Sequence, residues 1–191
     1  MKNNRDYRNA DKAELKEDYI IEGYATTFEP YLLFEEDGIE YFERIDKNAF
    51  NDTDFSDIIL MYNHDSKVYA RTRNKTLIVE VDNHGLKVTA DLSKTRSSRD
   101  IFEEVQAEML DKMSWSFTVA EERYDSKTRT REILSIKKIY DTSLVSRPQN
   151  EGTSVVARSA KSYVLGVEAE QRRIDLKQAQ IEYLYTLKRV S

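Results

Sequence analysis

The chain has 191 residues, 39% of them hydrophobic and 34% charged. One domain with a real core, perhaps with an appendage, fits that length, and no run approaches the roughly 20 apolar residues of a membrane span. A net charge of -5 and no P-loop or Rossmann glycine pattern among five glycines give no support to nucleic-acid or dinucleotide binding. With no cysteine and only two histidines, His64 and His84, disulfides, thiol catalysis, Cys-ligated zinc and multi-His metal sites are excluded.

Residues 1–17 are polar and charged and read as a mobile arm. They hold no apolar h-region, so the expected location is the cytoplasm of the cell that makes the chain. "DYIIEGYATTF" (18–28) reads as a strand rich in β-branched and aromatic residues. Residues 29–38 read as a loop, broken by Pro30 and Asp37-Gly38. "IEYFERI" (39–45) alternates as a second strand, and 46–57 is turn-rich. "IILMYNHD" (58–65) is an almost continuous apolar run that fits a strand buried on both faces, with His64 at its end.

"TLIVEV" (76–81), "DNHG" (82–85) and "LKVTADL" (86–92) predict a hairpin, with Gly85 where positive φ is cheap. Residues 97–112 switch to helical spacing, with Phe102, Val105 and Met109 on one face and Ser97 or Ser98 as the cap. "MSWSFTVAEERY" (113–124) alternates: Met113, Trp115, Phe117 and Val119 point one way, Ser114, Ser116, Thr118 and Ala120 the other. "REILSIKKIY" (131–140) returns, 141–154 has turn chemistry, and "VVARS" (155–159) reads as a last short strand. The expectation is a mainly β (α+β) domain over 18–159, a closed or partly open antiparallel barrel of about six to eight strands with peripheral helices. Residues 160–191 are expected to form a linker and an amphipathic helix. Its Leu176, Tyr183 and Leu187 share a face that seeks cover on the barrel, a partner or another copy.

Three groups invite a chemical reading. A serine nucleophile needs a base and a group that orients the base. His64, between Asn63 and Asp65 at a buried strand end, is better placed for this than His84 in a hairpin tip. Periodicity alone cannot choose between Ser114 and Ser116, since small polar residues are ordinary on a solvated strand face. An Asp at 141 is ordinarily a turn cap. The acidic run 34–43 lacks the ordered spacing of a calcium loop.

Six segments, in order, resemble the prohead maturation serine proteases of tailed bacteriophages, related in fold to the herpesvirus capsid protease (assemblin). "IIEGYATTF" is similar to that family's opening strand and "EYFERIDKNAF" to its next segment. "LMYNHD" is similar to its NHD motif, and "YARTRNKTLIVEVDNHGLKVTADL" to the arginine-containing hairpin that follows. "RDIFEEVQAEMLDKMSWSF" is similar to its helix and "MSfGF" strand, and "YDTSLVSRPQNEGTSVVARS" to its closing segment. The resemblance covers residues 19–158.

It implies a serine endopeptidase acting by acyl transfer, with His64 as base, Ser114 as nucleophile and Asp141 as the acidic third member. No cofactor and no metal are implied. Backbone amides around Ser146 and Arg147 are implied as oxyanion-hole candidates. No histidine follows Ser114, so a Ser-His-His arrangement is impossible. The chain departs from the family by Ser116 where glycine is usual, by Lys47-Asn48 where Pro-Gly is usual, and by Asp141 where glutamate is common. Ser116 therefore stands as an auxiliary candidate. The implied partners are the major capsid protein and the scaffold, as substrates, together with the chain itself. The implied place is the assembling prohead in the bacterial host cytoplasm, without nucleic acid or membrane, and with a homo-oligomer through the C-terminal helix. The alternative from another class is a catalytically degenerate β-rich module that binds capsid or scaffold.

Overall fold

The structure is a computed structural model and describes residues 6–15, 19–146 and 155–190. Among the described residues eleven strands form two sheets, accompanied by two α-helices. The first sheet follows the order β1 (Asp6–Lys12), β10 (Lys112–Asp125), β11 (Thr130–Val145), β5 (Ile39–Ile45), β4 (Tyr31–Glu36). β6 (Ile59–Tyr62) also pairs with β11, and β7 (Ala70–Arg71) with β6. The second sheet is antiparallel, in the order β2 (Glu14–Leu15), β3 (Ile20–Thr27), β9 (Gly85–Asp91), β8 (Leu77–Val81).

The closed or partly open antiparallel barrel is not what forms. β11 runs parallel to β5 at Thr130–Ile133 and parallel to β6 at Asp141–Leu144. An up-and-down meander contains no such pairs. Among the described residues the two sheets share no hydrogen-bonded strand, so the ladder does not close. Side chains from both sheets meet instead in one core. Ile21, Leu86 and Val88 come from the second sheet and Met113, Trp115, Phe117, Ile133 and Ile139 from the first, while Ile101 and Val105 of α1 (Arg96–Gln106) join them. Trp115 stacks on Phe117 with ring centroids 4.0 Å apart. Alternation along β10 had placed both on the inner face.

Several local readings change. Residues 29–38 hold β4 as well as turns, because Asp37 and Gly38, both at positive φ, close a tight hairpin to β5. The polar segment read as an arm supplies β1 and β2 in its described part. Gly85 does not have positive φ; a Cβ there would lie 2.1 Å from the Thr26 carbonyl oxygen, so the glycine serves close backbone approach of β9 to β3. The cap of α1 is Thr95, whose hydroxyl accepts the Ser98 N–H, and Met109 is exposed beyond the helix end. Residues 155–159 begin α2 (Val155–Val190) rather than a strand.

α2 starts on a small cluster in which Ala160 and Val164 bury against Leu33, Phe34 and Tyr41. Tyr124 donates to Glu168 at 2.7 Å and extends that anchor. Beyond it, Ile174 and Ile181 are exposed on one side of the helix. Leu176 and Tyr183 are exposed on nearly the opposite side at about 3.6 residues per turn. Its apolar residues thus lie on two faces, not one. Among the described residues no helix is long and apolar enough to cross a membrane.

Candidate active site

β10 and β11 pair antiparallel with Ser114 opposite Ser143 and Ser116 opposite Asp141. Residues two apart on a strand share a face. These four therefore make a square patch, three hydroxyls and one carboxylate, on the face opposite Trp115. Ser116 pairs with Asp141 but Phe117 with Ile139, so Tyr140 is an extra residue in β11. Such a bulge bends the strand and re-aims its neighbours.

β6 lies on the other edge of β11 and delivers the base. Asn63 donates its N–H to the Leu144 carbonyl (2.9 Å), and Asp65 donates to Tyr62 (2.8 Å). Asn63 and His64 both have positive φ, 46° and 56°, the pattern of a type I′ turn. The turn folds His64 back over the patch, where its imidazole spans one diagonal. Nδ1 lies 2.6 Å from Asp141 Oδ1 and Nε2 lies 2.9 Å from Ser114 Oγ. A carboxylate only accepts, so Nδ1 carries the proton of the neutral ring. Nε2 is then the acceptor facing the Ser114 hydroxyl.

The choice between the two serines of "MSWSF" follows from register. Ser114 is diagonal to Asp141, with room for an imidazole between them. Ser116 stands directly opposite Asp141, and its hydroxyl donates to Oδ2. The solvated strand face expected for both serines is absent: Ser114 is 1% and Ser116 0% exposed. The imidazole of His64 is 10% and the Asp141 side chain 3% exposed. β1 covers the outer edge of β10, with Asn9 in register with Ser114.

Of the oxyanion-hole candidates, Ser146 follows β11 and donates its N–H to Asn63 Oδ1 (3.2 Å). Arg147 lies outside the described residues. His84 sits away from this group, edge-on to Tyr24 with centroids 4.6 Å apart. The acidic run 34–43 forms most of the β4–β5 hairpin. Among the described residues no group of three His, Asp or Glu is placed to hold a metal ion.

Sequence reasoning missed Ser143. Its hydroxyl accepts the His64 backbone N–H (3.1 Å), lies 3.2 Å from His64 Nδ1, and donates to Asp141 Oδ1 at 3.4 Å. The signal was available: Ser143 is two residues after Asp141 and so on its face of the strand.

Comparison with curated proteins and with solved structures returns no match. A family model described as Caudovirus prohead serine protease matches residues 6–165. That span takes in β1 through the start of α2, and with it all three members of the Ser114–His64–Asp141 chain. The protein therefore belongs to the Caudovirus prohead serine protease family, the serine peptidases of capsid maturation.

Proposed function

We propose that His64, Ser114 and Asp141 are the catalytic triad of this prohead protease. The observation that carries the reading is the continuous line Ser114 Oγ, His64 Nε2, His64 Nδ1, Asp141 Oδ1, with links of 2.9 and 2.6 Å. His64 takes the hydroxyl proton as Ser114 attacks the scissile carbonyl, then gives it to the leaving amine. Asp141 holds the Nδ1–H tautomer and stabilises the imidazolium. Water then attacks the acyl-enzyme, with His64 again as base. Ser114 is 1% exposed, so the cover over β10 moves as substrate arrives, and β1 is the strand along that edge.

The substrates proposed are the scaffold or a scaffold-like arm of the major capsid protein, and the chain itself. The site of action proposed is the assembling prohead in the bacterial cytoplasm. Association of copies through α2 is proposed on its exposed Leu176, Ile181, Tyr183 and Tyr185.

Co-expression with the capsid and scaffold proteins of the same genome tests the reading. Wild type yields processed substrates. Ser114→Ala and His64→Ala lower the cleavage rate by roughly 10⁴-fold or more, and Asp141→Asn by about 10⁴-fold. Processing that persists in both alanine variants rejects the triad.

A further inference from the structure

We propose that Ser116 and Ser143 are positioning residues that bracket the Asp141 carboxylate and so set the basicity and aim of His64. The proposal rests on the triad reading above and goes beyond it, because both hydroxyls act on the Asp141 carboxylate and neither is hydrogen-bonded to Ser114 Oγ.

The physical need is clear. Asp141 is almost wholly buried, and a carboxylate taken out of water must be met by donors. One imidazole N–H meets Oδ1. Ser116 meets Oδ2 from directly across the ladder. Ser143 donates to Oδ1 from its own strand, and Ser143 Oγ accepts the His64 backbone N–H. One hydroxyl can do both, since it has one proton and two lone pairs.

Ser143 therefore ties three things together: the carboxylate, the Nδ1 edge of the ring, and the backbone of a turn residue at positive φ. Ser116 supplies what Ser143 does not, a donor on the second carboxylate oxygen. Without it a carboxylate that is 2% exposed loses that donor. Both hydroxyls lower the pull of Asp141 on the imidazole proton, because a lone pair that accepts one hydrogen bond is a weaker acceptor for the next proton. They also fix the carboxylate plane, and thereby the ring that hangs on it.

The chain offers a direct readout, since it has only two histidines. The full-length protein is compared with Ser116→Ala and Ser143→Ala by peptide-cleavage kinetics, melting temperature and proton NMR of the imidazole N–H region. Loss of a hydroxyl is expected to lower kcat roughly 10- to 100-fold, with KM held. The His64 Nδ1 proton is expected to move further downfield, as Asp141 becomes a stronger acceptor. Ser116→Thr, which keeps the hydroxyl, is expected to recover the wild-type proton shift and most of kcat.

An unchanged kcat and unchanged proton shift in both alanine variants overturns the proposal. So does a loss of kcat that follows the melting temperature down while the proton shift stays put, since that is the mark of packing alone. Ser114→Ala, run in parallel, separates this from failure of the triad itself. If it still cleaves, the triad reading falls and this one with it. If it is inactive while the Ser116 and Ser143 variants behave as wild type, the triad stands and only the bracket is wrong.

Discussion

Arg131, whose side chain is 4% exposed, is ion-paired through Nη1 to the fully buried carboxylate of Glu43. The pair joins β11 to β5, whose backbones run parallel there, and Glu122 and Tyr31 add hydrogen bonds to it. Removing one partner leaves a buried charge without compensation. Arg131→Met is expected to cost about 3–5 kcal/mol, or a melting temperature lower by roughly 10 °C. The double variant Glu43→Leu/Arg131→Met is expected to lose far less than the sum of the singles. Thermal denaturation of the four proteins checks both statements.

Thr142 stands opposite Trp115 across the β10–β11 ladder. Both are buried, and among the described residues neither the Thr142 hydroxyl nor the indole N–H finds a hydrogen-bond partner. An orphaned buried hydroxyl is a cost that a methyl group of the same shape does not carry. Thr142→Val is expected to raise stability by about 1 kcal/mol, read as a higher urea midpoint with an unchanged m-value.

Acid sensitivity follows from Asp91, the last residue of β9. Hydrogen bonds from the Lys94 and Ser93 side chains hold its carboxyl down to about 2, against a smaller upward push from burial. The unfolded value is about 3.9. Between these two values the unfolded chain binds the proton and the native state does not. Its contribution is therefore complete above about pH 4 and lost as pH falls toward 2. The melting temperature is expected to drop across that window, and Asp91→Asn to drop less steeply.

Backbone strain at the base can be weighed separately from its chemistry. His64 has φ of 56°, where a side chain is disfavoured by roughly 1–2 kcal/mol. His64→Ala and His64→Gly both remove the imidazole and expose Asp141 alike. The glycine variant is nonetheless expected to be the more stable by about 1 kcal/mol, the reverse of the usual order. Equal melting temperatures would show the turn to be unstrained.

The candidate site was more legible than the fold. His64, Ser114 and Asp141 each sit in a short stretch whose chemistry is local, and motif resemblance picked the same three residues that the structure brings together. Periodicity could not do this, because Ser114 and Ser116 share a face and only their cross-strand partners differ. Those partners are set by pairing between distant segments. The same limit explains the barrel that did not form: nothing in "IEYFERI" or "IILMYNHD" says that both run parallel to one strand near residue 140. The hairpin at Asp37-Gly38 was missed for a different reason. Its turn pair reads as a breaker, and "YLLFEE" then falls into the loop. The start of α2 reads as a strand because "VVARS" opens with two β-branched residues.

β11 brings Asp141 and Ser143 to the patch, and β6 and β10 find each other only across it. Strands paired over such sequence distances assemble late in folding. During synthesis His64 and Ser114 leave the ribosome first, and neither has the carboxylate that orients the pair until β11 follows. On the triad proposed above, proteolytic competence waits for the docking of β11, the strand that carries Asp141.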